Sequence, residues 1–343
     1  GVLLGRRTKD EGRRRKEEGQ RTKDKGRRRK DKGRRTKDEG RRRILHNFFL
    51  ICKLLNINLF EMKKQTFLIA LLILVLGFGC GHSPLHETDE TKSTDPLKND
   101  KKVEYNVDTT FKTIHIFVAL CDNRFQGIVP VPEKIGNGQN PNANLYWGCG
   151  YGIRTYFKKS SEWKWLKTYK LDSIRLERIV FQHVSQKYYL IADAYDGEFI
   201  KNCTLDFLNS SSDNLKDTLH IENKVIGLAG FSSLIAYIGH DGLMDFEITE
   251  KFSNSDGITR DLIILACYSK YYFSQHLKEA QVNPLIWTTG LMCPEAYTIH
   301  DALTGYVKGE TVPQIRQRAA AAYSKYLHCT EKAVRNLLVT GWE

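Results

Sequence analysis

Beyond about residue 108, apolar positions fall in short, nearly unbroken runs separated by stretches of helix length. The runs are TIHIFVALC (113–121), KYYLIADAY (187–195), SSLIAYIG (232–239), DLIILACY (261–268) and PLIWTTG (284–290). Each is rich in β-branched or aromatic residues, and none alternates apolar with polar. A strand reads that way when both its faces are covered, which predicts the buried strands of a parallel sheet. Between the runs, LYWGCGYGIRTYFKK (145–159), FIKNCTLDFLNSS (199–211) and YYFSQHLKEAQ (271–281) are candidate helices. VPQIRQRAAAAYSKYLHC and its continuation to Leu338 form a helical C-terminal end. The pattern predicts one α/β domain over 108–343, doubly wound around a mostly parallel sheet with right-handed crossovers.

Ligands of such sheets sit at the carboxyl ends of the strands. Four run ends therefore draw notice: Cys121-Asp122-Asn123, Asp193 to Gly197, Gly239-His240-Asp241-Gly242 and Ala266-Cys267-Tyr268-Ser269. QGIVPVPEKIGNGQNPNANLYWG, after the first run, is a long Gly-, Asn- and Pro-rich connection. It is expected over the top edge of the sheet as a lid or binding loop.

A different pattern precedes the domain. From Met62 the chain reads MKKQTFLIALLILVLGFGCG: two lysines, an apolar run from Phe67 to Leu76, small residues and a cysteine. This is the layout of a cleaved secretory signal, and its core is well short of the ~20 apolar residues of a membrane span. Gly79-Cys80 resembles the lipobox of bacterial lipoproteins, with Gly77 where a leucine usually stands. That resemblance implies lipidation at Cys80 and a place in the bacterial cell envelope, lipid-anchored and either periplasmic or surface-exposed. Plain secretion with cleavage nearby is the other reading. Residues 81–107 are polar and read as a tether. Residues 1–61 precede this second start, and we expect them to be missing from the mature protein.

Charge changes the picture only for that leading part. The 343-residue chain carries 53 Lys+Arg against 40 Asp+Glu, a net +13 that would ordinarily suggest nucleic acid. Residues 1–43 hold 21 of the basic and 8 of the acidic residues, so 32 of each remain and the rest of the chain is neutral. The basic tail repeats every seven residues, with Gly at 5, 12, 19, 26, 33 and 40. It has almost no apolar residue to bury, so disorder is expected. No nucleic-acid partner is expected of the domain. Six cysteines lie in it (121, 149, 203, 267, 293 and 329), and no spacing among them suggests a metal site or a redox pair. No metal or other cofactor is expected, and the sequence assigns no oligomeric state.

Two run ends combine into chemistry. A histidine in a glycine-containing turn, His240, closes one run, and Cys267 closes the next, 27 residues later. On neighbouring parallel strands about 5 Å apart, the two side chains can meet at the upper edge of the sheet. There an imidazole can take a thiol proton or stabilise a thiolate.

These segments, SLIAYIGHDG and DLIILACYS, resemble the caspase-like cysteine peptidases, the superfamily of caspases, metacaspases, legumains and gingipains. PLIWTTGLMCPEAYTIHDALTGYVKG resembles the strand, loop and helix that follow the nucleophile. The resemblance covers about 108–310. It implies Cys267 as nucleophile, His240 as general acid-base, a polypeptide substrate, and an oxyanion held by the backbone N–H groups of Cys267 and Gly242. Asp241 departs from the family, which has glycine directly after histidine, and Ser269 and Lys270 replace small residues. The departures leave a second reading open: a catalytically inactive caspase-like surface lipoprotein that binds a protein or a glycan.

The remaining candidates carry a bland reading beside a functional one. Asp193 and Asp196, in ADAYDG, either line a pocket for a basic substrate side chain or cap the next helix. Asp122 and Asn123 admit the same pair of readings. Tyr146, Trp147 and Trp287 are expected in the core. An α/β-hydrolase is disfavoured because no G-x-S-x-G elbow follows any run.

Overall fold

The five apolar runs form the centre of one sheet. The structure, a computed structural model, describes residues 106–342. The signal at 62–80 with Cys80, residues 1–61 and all but the end of the 81–107 tether lie outside the described residues. The strands are β1 (Lys112–Ala119), β2 (Trp163–Lys170), β3 (Arg175–His183), β4 (Tyr188–Tyr195), β5 (Lys216–Ile221), β6 (Lys224–Ala229), β7 (Leu234–Ile238), β8 (Asp261–Leu265), β9 (Asn283–Thr288) and β10 (Leu338–Val339). Eight of them make a mixed sheet in the order β10-β9-β8-β7-β1-β4-β3-β2. The predicted runs β4, β1, β7, β8 and β9 are its parallel block. β2, β3 and β10 are antiparallel additions at the two edges.

Burial explains the pattern. In β1 every residue after Lys112 is buried, so polar alternation has no place there. The helices are α1 (Ile153–Phe157), α2 (Ile200–Ser211), α3 (Ser269–Leu277), α4 (Ala296–Val307), α5 (Val312–Leu327) and α6 (Glu331–Leu337). Ile114, Ile116 and Val118 pack in one apolar cluster with residues of α1, α4 and α5. Phe117 and Ala119, on the alternate positions, pack in a second with residues of α2 and α3. β5 and β6 form a separate hairpin, and Ile226 and Leu228 of β6 cover Val180, Tyr189 and Ile191.

Two expectations need correction. The stretch 145–159 is helical only over Ile153–Phe157. A Cβ on Gly152 would stand within 2.4 Å of the Trp147 backbone, so residues 145–152 fold as close turns that a continuous helix would break. The C-terminal helical stretch stops at Leu337, and Leu338-Val339 pair with Trp287 and Thr288 of β9 as an edge strand.

The topology selects one part of the carboxyl edge. After β1 the chain crosses to the edge strand β2, builds inward through β3 to β4 beside β1, and then passes to the other side of β1 with β7 and β8. Where strand order reverses in this way, connections diverge and leave a crevice at the carboxyl ends. β7 and β8 end beside that point.

Candidate active site

His240 and Cys267 occupy equivalent places. Ile238 of β7 and Leu265 of β8 are register partners, and each site residue lies two positions further on. Gly239 extends the pairing, its N–H donating to Leu265 O at 3.3 Å. Its φ of +141° lies in the region that favours glycine, and a Cβ there would stand 2.5 Å from Ala119 O. The chain can therefore leave β7 close against β1.

His240 is held on two sides. Its carbonyl accepts the Tyr237 hydroxyl at 2.8 Å, and its Nε2 stands 2.7 Å from Asp245 Oδ2. The same carboxylate oxygen accepts the Gly127 N–H at 2.9 Å. Burial raises the Asp245 pKa, but the His240 and Gly127 hydrogen bonds and the charge of His240 outweigh it and hold the group below the usual range. With Nε2–H donated to Asp245, the neutral imidazole has Nδ1 as its basic nitrogen. Asp245 was not singled out from the sequence. The available signal was an acid five residues after the histidine, in GHDGLMD.

Cys267 sits on a sharp strand-to-helix turn. Tyr268 follows it with φ +51°, a conformation uncommon for a bulky residue, and α3 begins at Ser269. The turn is locked from below. Ser269 Oγ donates to Ile264 O at 3.0 Å, Ser269 N–H donates to Thr288 Oγ1 at 3.1 Å, and Thr288 Oγ1 bonds Ala266 O. The residue that replaces a small one after the nucleophile position thus ties β8 to β9. Met292 N–H lies 3.4 Å from Cys267 Sγ and Met292 O lies 3.6 Å away, contacts that suit a thiolate and a thiol respectively. No disulfide joins the six described cysteines.

Gly242 opens the turn Gly242–Met244, two positions beyond His240. The amide directly after the histidine belongs to Asp241, and a backbone N–H is present whatever the side chain. The Asp241 carboxyl itself is fully buried and caps the turn Gly242–Met244, its Oδ1 accepting the Leu243 N–H at 3.0 Å. Its Oδ2 has no hydrogen-bond partner. Burial, opposed by the Leu243 N–H and reinforced by the Asp245 charge, pushes its pKa up to about 8.

The two aspartates proposed for substrate are structural. Asp193 lies inside β4, not past its end, and is fully buried. Arg178 Nε and Nη2 each bond one of its oxygens at 2.7 Å, and His115 Nε2 adds a contact at 3.1 Å. No oxygen is left for a ligand. Asp196 caps the 3-10 turn Gly197–Phe199, its Oδ1 accepting the Glu198 N–H at 2.9 Å and Gln139 Nε2 at 2.6 Å.

Asp122 organises the long connection, accepting the N–H groups of Arg124 at 2.7 Å and Gly138 at 2.9 Å. Asn123 clasps the same connection through the Val131 backbone. The connection does reach the candidate site, through the Gly127 contact to Asp245. Tyr146, Trp147 and Trp287 are buried. Among the described residues no group of three or more His, Cys, Asp or Glu could hold a metal ion, and no helix is long and apolar enough to cross a membrane.

Comparison with family models, with curated proteins and with solved structures finds no match.

Proposed function

We propose that the chain is a lipid-anchored, extracytoplasmic cysteine peptidase of the caspase-like superfamily, with Cys267 as nucleophile and His240 as general acid-base. The observation that carries this reading is the equal placement of the two residues beyond the paired Ile238 and Leu265. Helices packed on both faces of the parallel block fit the layered α/β/α arrangement of that superfamily.

In the reaction, His240 Nδ1 takes the Cys267 proton while Asp245 holds Nε2, and Sγ attacks the scissile carbonyl carbon. The backbone N–H groups of Cys267 and Gly242 receive the oxyanion. His240 returns the proton to the leaving amine. A water then attacks the thioester, releasing the acid and restoring the thiol. Lipidation at Cys80 would hold the domain at the bacterial envelope by the 81–107 tether.

Cys267→Ala is the direct test: cleavage of a peptide library disappears and His240→Ala lowers it by about 10²-fold or more. Unchanged turnover in Cys267→Ala overturns the assignment. A second reading is favoured by Asp241, whose buried carboxyl follows the histidine directly, and by the Met292 contacts of the thiol. It is a non-catalytic module that binds a protein or glycan through the carboxyl-edge loops, and it predicts no turnover of any peptide by the unmodified chain.

A further inference from the structure

A cavity lies away from His240 and Cys267. It has a volume of about 620 Å³, and its lining includes Tyr151, Tyr156, Ser160, His300, Asp301 and Lys308. Trp163 opens β2 opposite His183, and Gln182 in turn pairs with Tyr189 at the start of β4. Ser160, three residues before Trp163, therefore stands near the amino ends of the parallel strands. The candidate peptidase site is at the carboxyl ends.

Inside the cavity three side chains form a relay. Ser160 Oγ is 2.8 Å from His300 Nε2, and His300 Nδ1 is 2.9 Å from Asp301 Oδ1. In the neutral tautomer that donates Nδ1–H to Asp301, Nε2 accepts the Ser160 hydroxyl proton. This is the order of contacts that activates a serine: nucleophile to base, base to orienting carboxylate. Ser160 Oγ also accepts the Glu162 N–H at 3.1 Å, which fixes its rotamer on the loop between α1 and β2. The Ser161 N–H, immediately after the serine, bonds no protein acceptor among the described residues. A backbone amide in that position can serve a developing oxyanion. Two lysines on the lining, Lys159 and Lys308, make no ion pair among the described residues, and Tyr151 and Tyr156 supply an aromatic wall.

We propose that this cavity is a second, serine-based hydrolytic site, taking small carboxylic esters that carry an anionic group. Ser160 Oγ bonds to the ester carbonyl carbon as its proton passes to His300 Nε2. The ester C–O bond breaks and the leaving alcohol takes that proton. Water then attacks the acyl-serine, giving its proton to His300, and the acid leaves as the Ser160 hydroxyl is restored. The cations of Lys159 and Lys308 face the anionic end of the ester, and the tyrosine rings its apolar part. This site stands independently of the cysteine site.

The test is labelling of the full chain with a fluorophosphonate, located by peptide mass spectrometry, together with hydrolysis of 4-nitrophenyl hemisuccinate. The unmodified protein is expected to label at Ser160 and to hydrolyse the ester, and Cys267→Ala to keep the Ser160 label. Ser160→Ala is expected to lose the label, and both it and His300→Gln to lose hydrolysis by about 10²-fold. Asp301→Asn, at a half-exposed position, is expected to lower kcat of hydrolysis with little change in KM. Labelling that persists in Ser160→Ala, or labelling no stronger than in heat-denatured protein, would overturn the proposal. Loss of hydrolysis in Cys267→Ala alone would assign the ester chemistry to the cysteine instead.

Discussion

Asp245 Oδ2 lies 2.7 Å from His240 Nε2 and accepts the Gly127 amide at 2.9 Å, so one carboxylate oxygen links the base of the proposed peptidase to the long connection after β1. The contact fixes which imidazole nitrogen is basic and ties the connection to the site. It also makes Asp245 a positioning residue, one that acts through His240.

Asp245→Asn should therefore lower kcat of peptide cleavage by about 10²-fold while leaving KM nearly unchanged. Asp245→Glu, which keeps the carboxylate, is expected to recover part of that loss, a rescue that a merely structural residue would not show. An equal loss in both variants would show that Asp245 acts only on folding.

Asp241 should make stability depend on pH around neutrality. Its folded pKa of about 8 lies above the unfolded value, so the folded state holds a proton that the unfolded state has already lost. Stability then falls as pH rises from about 4 towards 8 and levels off above that. Asp241→Asn keeps the shape and removes the charge. Denaturant midpoints at pH 5 and pH 8 should differ clearly in the unmodified chain and much less in the variant.

Asp193 tests the reassignment from substrate pocket to buried ion pair. Although burial raises its pKa, the Arg178 hydrogen bonds and the charge and hydrogen bond of His115 carry it far below the usual range. Its stabilising contribution is present above the unfolded pKa and is lost as pH falls through the folded one. Asp193→Ala leaves Arg178 buried without its partner and should cost about 3–5 kcal/mol in chemical denaturation. At a temperature where the variant stays folded, KM for a peptide with a basic side chain should not change. A raised KM for that peptide would restore the pocket reading.

How far the sequence could be read follows from burial. β1, β4, β7, β8 and β9 were legible because both faces are covered, which leaves continuous apolar runs. β2 was not: it is an edge strand whose Lys164, Lys167 and Lys170 guard against further pairing and break the run. β3 hides its polar residues in pairs the sequence cannot show, Glu177 with Trp147 and Arg154, and Arg178 with Asp193. His240 and Cys267 could be picked out because strand ends are visible in the pattern. Asp245 could not, since it lies in irregular backbone with no period to place it.

The central claim is that His240 activates the Cys267 thiol. The rate of Cys267 alkylation by iodoacetamide, followed against pH by mass spectrometry in the unmodified chain and in His240→Ala, measures that directly. An inflection well below the free-thiol value of ~8.5, moving up towards it in His240→Ala, is the predicted result. An inflection near ~8.5 in both proteins would contradict it.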